Sequence, residues 1–295
     1  MHFEKCGRVD IAPRPDACDA GAVQPLVSAI ILNYRSPRDT ARCAKALRAQ
    51  TIADRIEILA VDNHSDDESA QLIRNLLRGE PSVRVLESPV NGGYGKGNTF
   101  AAGYASGEYL LIINPDNELE PSALERMVLR MKADPGIGIL APKLVHEDGT
   151  VRDSFRAFPR LLDVVAKRTA LRRLLPGRVA RYLRADADLS MERDVDWVVG
   201  ACLLLKRSFY EELGGFDERF FLFFEDMDLC RRCWDPGDRV VYFPAPVPRD
   251  RKTRLSEGGI RRLLLTAVGR AHVASGLKYF WKWRSKPLPR LAGNN

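Results

Sequence analysis

No apolar run in this 295-residue chain approaches the ~20 residues that cross a bilayer. The longest, YLLIIN and VVGACLLL, are the length of strands. The opening MHFEKCGRVDIAPRPD has no apolar centre, so no secretory signal is expected. Residues 1–24 read as a flexible leader with two prolines and no period. Internal repeats and low-complexity tracts are missing. So is a cysteine framework: Cys6, Cys18, Cys43, Cys202, Cys230 and Cys233 are scattered. Cys230 and Cys233 form one CxxC, but no second pair or histidine cluster completes a tetrahedral zinc site. Reduced thiols in a cytosolic setting are expected instead. The common nucleotide fingerprints are absent too, because NGGYGKGNT (91–99) has neither the GxGxxG nor the GxxxxGK[ST] spacing. Charge of one sign is only mildly in excess, at +7 (46 basic residues minus 39 acidic). That balance fits an anionic partner such as a nucleotide, a phosphate or an acidic lipid headgroup, and equally simple solubility. No nucleic-acid partner is expected.

What is present is a folded core. The hydrophobic fraction of 45% is enough for a substantial core, and 295 residues suit one large α/β domain with an elaboration, or two small domains. LVSAIILNY (26–34), IEILAVDN (56–63), VRVLES (83–88), EYLLIINPD (108–116) and IGILAPKLV (137–145) read as strands. Helical stretches separate them at 37–49, 67–78, 98–106 and 121–133. Continuous apolar strands alternating with helices predict a mostly parallel sheet covered on both faces. Ligands of such sheets bind past the carboxyl ends of the strands. Those ends carry Asn33-Tyr34, Asp62-Asn63 and Asn114-Pro115-Asp116. The rhythm then breaks. Residues 161–184 form a basic, amphipathic helical stretch, read as a packed solvated helix or a surface for a lipid or acceptor. Strands follow at 195–207 and 239–244, with a helix at 207–213 between them. A last helix is expected over 257–284. Its GLKYFWKWRSK interleaves aromatics with cations, which suits a membrane interface and also an aromatic edge packed on the core.

Several of these segments carry candidate chemistry. NGGYGKGNT offers flexible backbone, Lys96 and a helix N-terminus to a phosphate or nucleoside, or is an ordinary tight turn. Asp62 is placed to accept from a nucleobase or ribose, or to cap a helix. Asp116 is placed to hold a divalent cation beside a diphosphate, or is a turn residue after Pro115. FFEDMDLCRR (223–232) sets Glu225, Asp226 and Asp228 next to aromatics, where like charges repel and burial disfavours ionisation.

The order of these pieces resembles the family 2 glycosyltransferases, and within them bacterial rhamnosyltransferase-type members. The resemblance runs from about Leu26 to Pro244, includes DSFRAFP (153–159), and echoes weakly in HVASGLKYFWKW. It implies a GT-A fold: a single Rossmann-like, mostly parallel sheet over residues 25–250, with a helical C-terminal extension at 251–295. Residues 25–150 would be the nucleotide-sugar half and 151–250 the acceptor half. It also implies roles. Asn33, Tyr34, Asp62 and Asn63 would meet the nucleoside, with Asn91, Gly92, Lys96 and Asn98 bordering nucleoside and sugar. Asp116, last acid of a D-x-D element reduced here to NPD, would bind Mg²⁺ or Mn²⁺. Asp226 would be the catalytic base, with Trp197, Gly200, Glu225 and Arg232 shaping the acceptor and sugar pocket. The family's histidine after the last strand is missing from PAPVPRDRKTR; Arg249 or Asp250 stands there, Asp250 as a second metal candidate.

The activity so implied is inverting transfer of a deoxyhexose such as rhamnose, from a dTDP- or UDP-linked donor. The acceptor would be a cell-surface glycan or lipid-linked precursor, met in the cytoplasm or peripherally on the inner face of the membrane. A non-catalytic sugar-nucleotide-binding module and a nucleotidyltransferase are the alternatives. FEDMDLCRR weighs against the latter, whose chemistry needs no acceptor base after the sheet.

Overall fold

The computed structural model describes residues 24–245, 249–250 and 266–289, with 249–250 given by backbone alone. The leader at 1–23 and residues 251–265 lie outside the described residues.

The first half follows the predicted alternation. β1 (Val27–Asn33), α1 (Pro37–Arg48), β2 (Ile56–Asp62), α2 (Ser69–Leu76), β3 (Val83–Glu87), α3 (Gly93–Ala102) and β4 (Tyr109–Ile113) succeed one another. α1 begins at Pro37, whose missing N–H is no loss in a first turn, with Asp39 early and Lys45 and Arg48 late along the macrodipole. β5 (Asn117–Glu118), α4 (Ala123–Ala133), β6 (Ile137–Pro142), β7 (Val145–His146) and β8 (Phe155–Arg156) follow. Then come α5 (Leu161–Arg168), α6 (Leu171–Leu174) and α7 (Pro176–Leu183). The rest is β9 (Arg193–Asp194), β10 (Trp197–Val198), β11 (Cys202–Lys206), α8 (Arg207–Glu212), α9 (Glu225–Trp234), β12 (Arg239–Phe243), β13 (Arg249–Asp250) and α10 (Ala267–Lys282).

The main sheet has the order β3-β2-β1-β4-β11-β6-β12-β9. β1 to β4 pair in parallel, and β12 is parallel to β6. β11 runs antiparallel between β4 and β6, and β9 is antiparallel at the edge. Alternate strand residues feed two cores. Ala29 and Ile31 pack with α1, α2 and α4, while Ile30 and Leu32 pack with α3, α9 and α10.

Three expectations change. The helix predicted at 98–106 begins at Gly93, inside the glycine-rich stretch. A Cβ at Gly95 would meet Phe216 at 2.9 Å, and one at Gly97 would meet Leu32 at 2.7 Å. Packing space, against glycine's low propensity, sets this helix. The single stretch at 161–184 is three short helices, broken after Arg168 and at Pro176. The last helix covers Ala267–Lys282, and it is no loose appendage: Tyr279 and Trp283 are buried in the second core.

Candidate active site

The polar strand ends do meet. β1 and β2 are in register at Asn33 and Asp62, and Asn33 Nδ2 donates to Asp62 Oδ1 at 2.6 Å. Asn33 Oδ1 accepts from Ser36 N (3.1 Å) and Thr40 Oγ1 (3.0 Å), and the side chain is fully buried. It therefore holds Asp62 rather than facing a nucleobase. Asp62 also accepts from Ser65 N and Oγ at 2.8 and 2.7 Å, the turn-capping arrangement. Tyr34 is half-exposed at this edge, with the Arg35 guanidinium 5.4 Å from its ring centroid.

Asn63 carries the connection onward. Its Nδ2 donates to Asn91 Oδ1 (3.1 Å) and Gly93 O (3.2 Å). Gly92 packs over Lys96, because a Cβ there would overlap that side chain. Gly93 has φ +86°, and a Cβ on it would sit 1.8 Å from Phe221 O; only glycine fits this turn. Tyr94 N donates to that same carbonyl at 2.9 Å. Asn98 is buried and donates to Tyr94 O at 2.9 Å, bracing the first turn of α3. Lys96 is partly exposed and lies 3.4 Å from Glu218, a weak surface pair that an arriving anion can replace.

Tyr94 links the edge of polar strand ends to the acidic block. Its hydroxyl donates to Gly200 O, and Gly200 N donates to Asp226 Oδ2 at 3.0 Å. Asp226 Oδ1 accepts from Met227 N at 2.8 Å. Asp226 is half-buried at the start of α9, and Glu225 beside it is buried at 5% exposure. Burial pushes both carboxyls above their ordinary range, Glu225 well above, with the Asp226 charge adding to its shift. Two backbone N–H groups and the Arg156 charge favour ionised Asp226, whereas one Glu225 oxygen is buried without a partner. Of the two carboxyls, Glu225 is therefore the more strongly raised. Burial and both acids also push Tyr94 well up, so it stays a donor.

The turn after β4 joins at the next residue along. Asn114 N and Asn117 Nδ2 both donate to Ala201 O, at 2.9 and 3.3 Å. Asp116 lies in that turn, half-buried, its carboxyl raised by burial and drawn back by the Arg152 charge. Among the described residues no group of three acidic, histidine or cysteine side chains forms a metal cage. One desolvated carboxylate still suits Mg²⁺ or Mn²⁺ that takes its other ligands from diphosphate and water. β13 pairs with β5, setting the backbone of Asp250 opposite Asn117, one residue from Asp116. Its side chain lies outside the described residues.

The remaining predicted residues divide. Trp197 is buried, donates from Nε1 to Ala157 O at 2.9 Å, and lies under the Arg156 guanidinium at 5.5 Å. Arg232 does not open onto the pocket: its Nε, Nη1 and Nη2 bond Asp228, Leu213 O and Gly215 O at 2.6–2.8 Å. The aromatic block is not one wall either. Phe220 and Phe224 are in the core, and Phe221 is exposed. Phe223 and Phe224 both have φ +68°, which costs bulky residues about 1–3 kcal/mol each and persists only under outside constraint. The CxxC thiols are buried and their ionisation suppressed, so they are core residues. Sequence reasoning missed Tyr94, whose signal was a lone aromatic among glycines, and Arg156, inside the noted DSFRAFP.

Comparison with known proteins bears on the family and the fold. The family description "Glycosyl transferase family 2" matches residues 28–214, ending before Asp226. An N-acetylglucosaminyl-diphospho-decaprenol L-rhamnosyltransferase of Mycobacterium tuberculosis is 32% identical over 208 residues, 64% of either chain. The O-antigen biosynthesis protein RfbC of Myxococcus xanthus is 32% identical over 74% of this chain and 16% of its own. The match thus spans under two thirds of these relatives. Among solved structures, GalNAc-T7, crystallised with UDP, GalNAc and Mn²⁺, superposes with TM-score 0.63 at 15% identity, covering 88% of this chain and 48% of that one. S. aureus TarS (residues 1–349) gives 0.53 at 16% identity, over 76% and 60%. The fold is GT-A, and the chain belongs to glycosyl transferase family 2.

Proposed function

We propose that this chain is an inverting glycosyltransferase that moves rhamnose or a related deoxyhexose from a dTDP- or UDP-linked donor to a lipid-linked or cell-surface glycan. The observation that carries it is the half-buried Asp226 carboxylate, held by two backbone N–H groups where the donor-side turn and the strand β10–β11 connection meet. The acceptor O–H gives its proton to Asp226 as its oxygen bonds the anomeric carbon. The bond from that carbon to the diphosphate breaks on the opposite face, and the nucleoside diphosphate leaves with the electron pair. Burial disfavours ionisation of Glu225 and Tyr94, which limits negative charge beside the base. Asp62, fixed by Asn33 and Ser65, takes the nucleoside. Asp116, with residue 250 alongside, would hold a divalent cation, which supplies positive charge to the departing diphosphate.

A lipid-linked acceptor, of the kind the mycobacterial relative's name describes, favours work at the inner face of the cytoplasmic membrane. No helix among the described residues is long and apolar enough to cross one. α10 instead exposes Leu277 and Trp281, at 65% and 64%, beside Lys278 and Arg284, a composition suited to peripheral contact with an anionic bilayer.

The test pairs thermal stability with transfer. dTDP, UDP and their sugars are titrated with and without Mg²⁺ or Mn²⁺, and dTDP-rhamnose is then offered with a polyprenyl-diphosphate N-acetylglucosamine acceptor. A ligand at 100 times its Kd stabilises by about 2.7 kcal/mol, well within detection. A thymidine- or uridine-selective shift with acceptor-dependent release of nucleoside diphosphate supports the reading. A flat panel overturns it, and a shift without turnover leaves only a binding module.

A further inference from the structure

We propose that α10 is a positioning element of the active site: its inner face holds residues 217–228 in the strained conformation that aims the Asp226 carboxylate. The inference rests on Asp226 being the acceptor base.

The contacts between α10 and this stretch are specific and polar as well as apolar. Ser275 Oγ donates to Leu222 O at 2.9 Å, and Lys278 Nζ to Arg219 O at 2.8 Å. Lys282 Nζ lies 2.7 Å from Asp217 and 2.6 Å from Asp228. Trp283 Nε1 donates to Asp228 Oδ1 at 2.9 Å, while Arg232 takes the other oxygen. Asp228 has no exposed surface, so two cations and an indole N–H satisfy a fully buried carboxylate two residues beyond the base. Gly276 receives the Phe224 ring: a Cβ there would stand 3.2 Å from it. His272, Tyr279 and Phe280 enclose the same ring, at centroid distances of 5.2, 5.5 and 6.3 Å.

Every one of these ties lands on a twelve-residue stretch whose middle holds the two left-handed phenylalanines. Phenylalanine relaxes from that conformation unless its surroundings over-determine it. Phe224 is also the cap of α9, accepting from Asp228 N at 2.9 Å. A change in its backbone therefore re-aims Glu225 and Asp226 relative to Gly200. A helix that only covered an apolar groove would need neither the buried Asp228 cluster nor the close approach at Gly276.

The experiment compares the full chain with Gly276→Val, Lys282→Met and Lys282→Arg. Ala274→Ser, on the exposed face of α10, is the control. Amide hydrogen exchange and steady-state transfer are read on each. In Gly276→Val and Lys282→Met, exchange should quicken about tenfold or more at residues 222–228 while β1, β2 and β4 stay protected. Their kcat should fall by about tenfold or more with donor KM nearly unchanged, as a misplaced base requires. Lys282→Arg should restore most of both. Native exchange at 222–228 in the two variants overturns the proposal, as does a loss of protection spread over the sheet. If the native chain shows no transfer, the proposed function falls while the exchange result still decides the role of α10.

Discussion

Replacing Asp226 with asparagine keeps the side chain's shape and removes its ability to take a proton. The amide has one acceptor oxygen where the carboxylate had two, so one of the bonds from Gly200 N and Met227 N is lost, about 1 kcal/mol. Relief of the repulsion with Glu225 offsets that loss. Stability should change little, by a few degrees in Tm at most. Catalysis should fall by about 10²–10⁴, the usual contribution of a positioned base, equivalent to roughly 2.7–5.5 kcal/mol of barrier. Donor KM should hold, because the base acts only as the acceptor bond forms. Asp228→Ala, two residues along, should instead cost mainly stability, with kcat falling too because the ties from α10 to Asp228 are lost. It strands Lys282 and Arg232 beside a buried site, at about 3–5 kcal/mol, or roughly 10 °C in Tm at this chain length. The assays are nucleoside-diphosphate release at saturating donor and thermal unfolding. Asp226→Asn with more than half the native kcat would refute the base assignment. Equal loss of Tm in both variants would refute the division of labour between the two acids.

Three further outcomes are expected. Gly93→Ala should lower Tm by several degrees and weaken donor binding, since the new methyl strikes the Phe221 carbonyl at a positive φ; native-like unfolding and donor KM would refute the turn's role. Glu225 has a raised carboxyl, so its stabilising contribution is complete below the ordinary glutamate value of about 4.3 and is lost as pH rises through the folded value. Glu225→Gln should flatten that decline, and a pH–Tm curve that still falls as in the native chain would count against the burial account. Asp116→Asn should abolish stimulation by Mg²⁺ or Mn²⁺ in metal-depleted protein, and undiminished stimulation would move the cation elsewhere.

How much was legible beforehand follows the range of the forces involved. β1, β2 and β4 announce themselves as β-branched runs, and their polar ends could be listed because a parallel sheet aligns its carboxyl ends. The acidic block at the start of α9 was legible as a conflict: three acids beside phenylalanines need a reason. Other features depend on residues far apart in the chain. Asn33 looked like a ligand contact, yet Thr40 and Asp62 occupy it. Arg232 looked like a pocket residue, yet the Gly215 turn and Asp228 consume it. α3 begins among glycines because Phe216 and Leu32 leave no room for a Cβ.

The sequence by itself determined the layered α/β class, the edge of polar strand ends and the carboxylates available there, because periodicity and residue chemistry act over a few neighbours. Only the tertiary structure decided how deeply each acid is buried and which groups hold it. Tyr94 reaches Gly200 across 106 residues, Gly200 reaches Asp226 across 26, and Trp283 reaches Asp228 across 55. No local preference encodes such distances. They arise when the sheet brings its strand ends together and α10 closes against them, burying the acids among groups far away in the sequence.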